Sequence, residues 1–194
     1  MKLGDLNQTV MLIDTDFLIE KISENYNFYK DLYPEKIFGD INLAKLLHQF
    51  AINARVQEAN HYVDIIFAYT LDNTILPNCK PNNVFEFNDT KNLRLKTNIG
   101  EFLIKSFFAD ENENCSDHFI NLLSKVHNNI NVSRIITVSD NPELDYYLNL
   151  FFKKGEKSFF LIKSSTESYI STKFTFVGID ELIAFAFGIN ATEL

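Results

Sequence analysis

The chain is predicted to fold as an α/β protein, a mostly parallel, doubly wound sheet held between two helical layers. Three observations carry this. Short apolar runs of strand length alternate with stretches of helical apolar spacing. A 46% hydrophobic content with 19 Phe supplies a full core for one domain across residues 1–194. Three acids, Asp14, Asp117 and Asp140, stand at element boundaries, and sheets of this kind keep their ligand crevice at the carboxyl ends of the strands.

Thr9 to Asp14 reads as a buried strand. Phe17 to about Tyr33 places Phe17, Leu18, Ile22, Tyr26, Tyr29 and Leu32 at helical spacing and stops at Pro34. Ile41 to Glu58 is a second amphipathic helix, with Leu43, Leu46, Leu47, Phe50, Ala51 and Ala54 on one stripe. Val63 to Tyr69 is β-branched and aromatic, hence a strand. Leu71 to Asn83, with Pro77 and Pro81, is a turn-rich surface excursion. Val84 to Phe87 and Leu93 to Lys96 are short strand-like pieces of edge structure, and Phe102 to Phe108 is a core strand. The acidic run Asp110 to Asn114 leads into a helix from Asp117 to about His127. Arg134 to Ser139 is the next strand. Pro142 to about Lys154 is a helix closed by Gly155. Lys157 to Lys163 and Lys173 to Val177 complete the strands, and Glu181 to Phe187 is a terminal helix stopped by Gly188.

Composition excludes several classes. Net charge is −8, from 26 acids and 18 bases, which argues against broad duplex binding through Lys and Arg. Cys79 and Cys115 are too few for a disulfide framework and lack zinc spacing. No apolar stretch reaches membrane-spanning length, and the first residues lack a leader's apolar segment. A soluble, cytoplasmic protein is expected. With six Gly and no glycine-rich fingerprint, a backbone cradle for nucleotide phosphates is not expected. The four His form no metal-binding pair; His48 reads as an ordinary helical side chain, and His118 is of interest only beside Asp117.

The acids admit two readings. Two carboxylates about 4 Å apart repel by roughly 4 kcal/mol at an effective dielectric near 20. Three gathered at one rim must be protonated, screened or bound to a cation. No Lys or Arg lies within three residues of Asp14, Asp117 or Asp140, so Mg²⁺ or Mn²⁺ is the natural counter-charge. Arg94, Lys96 and Lys105 are candidates for a substrate rim. Alternatively each acid serves a helix start: Asp14 and Asp16 as cap and first-turn residues, Ser116 as the cap before Asp117, Asn141 as the cap before Pro142 and Glu143. Lys153, Lys154 and Lys157 fit the end of a helix better than a phosphate site.

The segment order resembles the NYN family, the PIN-like ribonuclease domains related to the LabA group. Ile13-Asp14-Thr15-Asp16-Phe17 resembles its first strand and acidic turn. Asn114-Cys115-Ser116-Asp117 occupies the place of its mid-chain Asp, and Ile135 to Ile162 resembles its Ser-Gly-Asp-Ser-Asp-Phe region, with Asp140 and Glu143 as the acids. The family's Lys-Gly pair before Asp117 is missing, Phe17 replaces a frequent Asn, and Glu143 arrives one residue late. The resemblance implies a Rossmann-like, PIN-like three-layer α/β/α fold and metal-dependent hydrolysis of single-stranded RNA. Asp14, Asp117 and Asp140 would be catalytic. The metal set would be Asp14, Asp16, Asp117, Asp140 and Glu143, holding Mg²⁺ or Mn²⁺. Homo-oligomerisation stays open.

Two rivals remain. Asp14-Thr15-Asp16, Thr70 and Asp140 to Asp145 resemble the motifs of haloacid-dehalogenase-like phosphatases, with Asp14 as nucleophile, although Phe17-Leu18 departs from them. The other rival is a catalytically inactive domain of this fold used as a binding module, in which aromatic residues of the 71–90 region matter more than the acids.

Overall fold

The computed structural model describes residues 3, 5–56, 61–87, 93–110, 113–152, 157–164 and 175–189. In chain order the elements are β1 (Thr9–Asp14), α1 (Thr15–Leu32), β2 (Ile41–Asn42), α2 (Leu43–Asn53), β3 (His61–Tyr69) and β4 (Cys79–Lys80). A 3-10 turn (Val84–Phe87) follows, then β5 (Leu93–Thr97), β6 (Gly100–Phe108), α3 (Cys115–Asn128), β7 (Arg134–Val138), α4 (Leu144–Phe152), β8 (Ser158–Lys163), β9 (Thr175–Gly178) and α5 (Ile179–Ala186).

Seven strands form one sheet in the order β5-β6-β3-β1-β7-β8-β9. All neighbours run parallel except β5, which pairs antiparallel with β6. All six residues of β1 are buried, which is why Val10 to Ile13 is continuously apolar rather than alternating. Met11 and Ile13 join a core with α1, α2 and α5, while Val10 and Leu12 join a second core with α3 and α4. The two cores on opposite faces make the expected three-layer α/β/α arrangement.

Helix ends follow local chemistry. Asn42 Oδ1 accepts from Lys45 N at 3.1 Å, so α2 starts at Leu43 and Ile41–Asn42 is left to pair with Cys79–Lys80. Arg55 (φ 60°) and Gly188 (φ 77°) both take left-handed conformations. After each, a backbone N–H reaches back five residues, Val56 to Ala51 O at 2.9 Å and Ile189 to Ala184 O at 3.0 Å, the closure that stops α2 and α5. The cap of α3 is Asn114 rather than Ser116: its Oδ1 accepts from Asp117 N at 2.8 Å. Val84–Phe87 is a 3-10 turn and not a strand, because Val84 and Phe87, three residues apart, both turn into the core. The helix expected to reach Glu58 stops at Asn53, turned by Arg55; Glu58 itself, the Gly155 stop, Lys153, Lys154 and Lys173 lie outside the described residues. Among the described residues, no helix is long and apolar enough to cross a membrane.

One feature had no local signature. Asp64 on β3 is fully buried, and its Oδ2 accepts from Asn7 N at 2.6 Å and Asn7 Nδ2 at 3.0 Å. Its Oδ1 lies 3.6 Å from Lys105 Nζ on β6. The carboxylate thus fastens the segment before β1 to the middle of the sheet. Lys105, expected at a substrate rim, is an internal counter-charge instead. Asp64→Ala strands the Lys105 ammonium and the Asn7 N–H, and should cost about 3 kcal/mol in urea unfolding. Asp64→Ala combined with Lys105→Met should recover part of that loss.

Candidate functional site at the switch point

The chain builds the sheet outward from β1 through β3 to β6, crosses back, and builds the other half from β7 through β8 to β9. The strand order therefore reverses between β1 and β7, where the connections leave in opposite directions and open a crevice at the carboxyl edge. A cavity of about 400 Å³ lies there, and Asp14, Asp16, Glu20, Cys115, Asp140 and Asn141 are among its walls.

Asp14 ends β1 and is 6% exposed. Its Oδ1 accepts from Phe17 N at 3.3 Å, capping α1, and from the Cys115 thiol at 3.5 Å. Its Oδ2 accepts from Ser139 Oγ at 3.0 Å. Burial is the largest influence on this carboxyl and raises its pKa above the ordinary Asp value. Hydrogen bonds from Phe17, Ser139 and Cys115 oppose the rise, and the charge of Asp16 adds to it. Cys115 also donates to Ala68 O at 3.5 Å. Burial, together with the charges of Asp14 and Asp16, pushes its thiol well up, and burial raises Cys79 to about 12. Neither is a thiolate nucleophile at neutral pH.

The other acids are also engaged. Asn73 Nδ2 donates to Asp16 Oδ1 at 2.9 Å, tying the excursion after β3 to the start of α1. Ser164 N lies 3.2 Å from both Asp140 oxygens, so Asp140 secures the exit of β8. Ser139 Oγ accepts from Asn141 N at 3.0 Å, Asn141 Oδ1 accepts from Glu143 N at 2.9 Å, and Asn141 Nδ2 donates to Ser116 O at 3.2 Å.

The five expected metal ligands divide into two groups. Asp14, Asp16 and Asp140 line the switch-point cavity; Asp117 and Glu143 line a neighbouring one of about 400 Å³ with Asp110, Glu113 and Tyr147. Asp117 is drawn aside by a reciprocal pair with Asn114, whose Nδ2 donates to Asp117 Oδ2 at 2.9 Å. This is a helix-start arrangement, with the Asp117 backbone N–H satisfied by Asn114 and the two side chains bonded to each other. His118 is also held apart, with Nδ1 2.9 Å from Glu113 Oε2 and Nε2 3.0 Å from Phe107 O. Partial burial pushes the Glu113 carboxyl up, but hydrogen bonds from Asn121 and His118 outweigh it and leave its pKa below the ordinary Glu value. Arg94 and Lys96, the remaining rim candidates, both face Glu101, at 3.7 and 3.8 Å. Lys157, at the other edge, donates to Asn129 O at 2.6 Å.

The carboxylates of the switch-point cavity offer oxygen ligands, the chemistry a hard divalent cation takes, beside the Cys115 thiol. Their arrangement does not fit one. The Asp14 and Asp140 oxygens accept from protein donors, and among the described residues no three His, Cys, Asp or Glu side chains are placed to hold a common ion. Residue-level reading missed Ser139 and Cys115. The only available signal was a hydroxyl at the end of β7 beside Asp140, and a small polar residue at the first position of α3.

Asp14→Ala should lower stability by about 2 kcal/mol through loss of the α1 cap and of the Ser139 and Cys115 partner. Asp14→Asn, which keeps a cap acceptor, should cost less. Because folding raises the Asp14 pKa, the folded protein holds this proton more tightly than the unfolded chain. That contribution is whole below an unfolded value of about 3.9 and is lost as pH rises through the raised folded value. Urea unfolding at a series of pH values should show this slope in the native protein and not in Asp14→Asn.

Comparison with curated proteins and with solved structures finds no match. A family model does match, over residues 4–194, that is, through both halves of the sheet and the switch-point cleft between them. Its description, a family of unknown function (DUF6621), names no activity. With the model covering nearly the whole chain, this protein belongs to the DUF6621 family.

Proposed function

We propose that the protein is a non-hydrolytic binding domain whose acidic switch-point cleft receives a positively charged segment of a partner. The observation that supports this above others is the engagement of the acids. Asp14, Asp16, Asp117 and Asp140 each accept hydrogen bonds from within the fold. They cap helices, hold a loop and orient a strand exit, so each has work that needs no ion.

Charge supports the same reading. Asp14, Asp16, Glu20 and Asp140 line the cleft, and among the described residues no Lys or Arg does. Without a cation, an RNA phosphodiester meets only like charge there. A Lys or Arg side chain meets complementary charge. Leu71 and Ile75 are at least half exposed on the excursion that Asn73 ties to Asp16. They offer apolar contacts beside the acids, so the reading is of a basic segment with apolar flanks. The free thiols of Cys79 and Cys115 support a cytoplasmic setting.

A second reading is metal-dependent hydrolysis of single-stranded RNA, as the NYN resemblance implies. It is favoured by the placing of Asp14, Asp16 and Asp140 in one cleft at the switch point. It requires these acids to exchange their internal hydrogen bonds for Mg²⁺ or Mn²⁺. The phosphatase reading fares worse: a nucleophilic Asp14 must be open to substrate, and this one is buried with both oxygens bonded.

Calorimetry with Mn²⁺, and cleavage of labelled single-stranded RNA in its presence, separate the two. The binding reading expects no saturable metal uptake, no cleavage, and saturable binding of an oligolysine peptide that weakens at least fivefold in Asp16→Asn with Glu20→Gln. Mn²⁺-dependent cleavage that disappears in Asp14→Asn would overturn it in favour of the nuclease.

A further inference from the structure

A second kind of cavity lies on another part of the molecule. It measures about 240 Å³, sits between α2 and the turn joining β5 to β6, and is lined by Ala44, Lys45, His48, Lys96, Thr97 and Asn98. That turn belongs to the amino edge of the sheet, since Gly100 aligns with His61, the first residue of β3. The acidic cleft opens at the carboxyl edge, so the two are independent.

The charge is reversed as well. Among the described residues two ammonium groups and no carboxylate line this cavity, on a chain whose net charge is −8. Glu101, which pairs with Lys96 across β5 and β6, is shared by two cations, Arg94 at 3.7 Å and Lys96 at 3.8 Å. Lys45 forms no ion pair among the described residues. The local balance is therefore positive, and the Lys96 side chain, 85% exposed, is free to swing toward an occupant.

His48 adds an observation of a different kind. It lines the cavity, and its Nδ1 is buried with no hydrogen-bond partner among the described residues. A ring nitrogen kept from water and left unpaired is unfavourable, and an oxyanion in the cavity offers an acceptor to an imidazole N–H. Thr97 Oγ1 already donates to Gly100 O at 3.0 Å, which fixes the turn that forms one wall. The Ala44 methyl and the lysine methylene stems give the remaining wall an apolar character suited to a small organic body.

We propose that this cavity binds a small phosphorylated metabolite, its phosphate held by Lys45, Lys96 and the His48 ring and its organic part resting on Ala44 and the lysine stems. The lysines supply charge as compact ammonium groups, and the imidazole supplies a directional donor. Nothing in this assignment depends on what the acidic cleft does.

The test uses the full chain with ribose 5-phosphate, ribose and inorganic phosphate as probes, followed by calorimetry and by NMR of the histidine ring nitrogens. Saturable binding of ribose 5-phosphate is expected, with a shift confined to His48 and absent at His118. Ribose should not bind, and inorganic phosphate should bind more weakly than the sugar phosphate. Lys45→Gln and Lys96→Gln lie on the exposed rim and should each raise the Kd at least fivefold without altering urea unfolding. The proposal is overturned if His48 does not respond, if either lysine variant binds like the native protein, or if inorganic phosphate binds as tightly as the sugar phosphate.

Discussion

The carboxyl group of Asp14 joins four elements at one point. It ends β1, caps α1, takes a hydrogen bond from Ser139 just beyond β7, and receives the thiol of the first residue of α3. These are the elements that flank the reversal of strand order, where a doubly wound sheet would otherwise split. A neutral side chain of the same size would fill the space but could not satisfy a helix N–H, a hydroxyl and a thiol together. Burying a carboxyl there costs solvation, and the rise of its pKa is the measure of that cost. The fold thus keeps a buried carboxyl with a raised pKa at its topological centre, where it serves assembly.

The same economy runs through the rest of the carboxyl edge. Asp140 receives Ser164 N, Asp16 receives Asn73, and Asn141 reaches Ser116 O. Each bond ties a loop at the carboxyl edge to a neighbouring segment. Acidity in the cleft is therefore first a product of loop anchoring. An ion or a partner cation acts on groups that already have a mechanical role, and any ligand there must compete with these bonds or build on them. The amino-edge cavity differs in kind, since Lys45 and Lys96 do little for the fold and are available to a ligand at small cost.

Much of the architecture was legible from residues. Val10 to Ile13, Ile135 to Val138 and Phe159 to Ile162 are unbroken apolar runs because both sheet faces are covered, and such runs declare central parallel strands. The helix stops at Tyr33 and Gly188 were equally plain. What escaped was set by distance along the chain or by ambiguity of pattern. Val84 to Phe87 alternates like a strand, yet its ends pack together through one tight turn. Asn114 and Asp117 stand at the spacing of a reciprocal helix start, and that local bond took Asp117 away from the rim where Asp14 and Asp140 meet. Asp64 and Lys105 became partners through strand register, and Asp14 and Ser139 through a crossover, neither of which residue patterns encode.

The separation between Asp14 and Ser139, 125 positions, has a consequence for biosynthesis. The central strand leaves the ribosome almost first, but one of its two flanking partners, β7, is among the later elements to be made. At about 5–20 residues per second, the growing chain carries an unflanked apolar strand for roughly ten seconds. During that interval β1 can shelter only against β3 and the helices made before β7, a half-sheet with one open side. Nascent-chain chaperoning is consequently a stronger requirement for this topology than for a sheet assembled strand by strand in sequence, and truncation anywhere before β7 leaves a fragment prone to associate with its own copies.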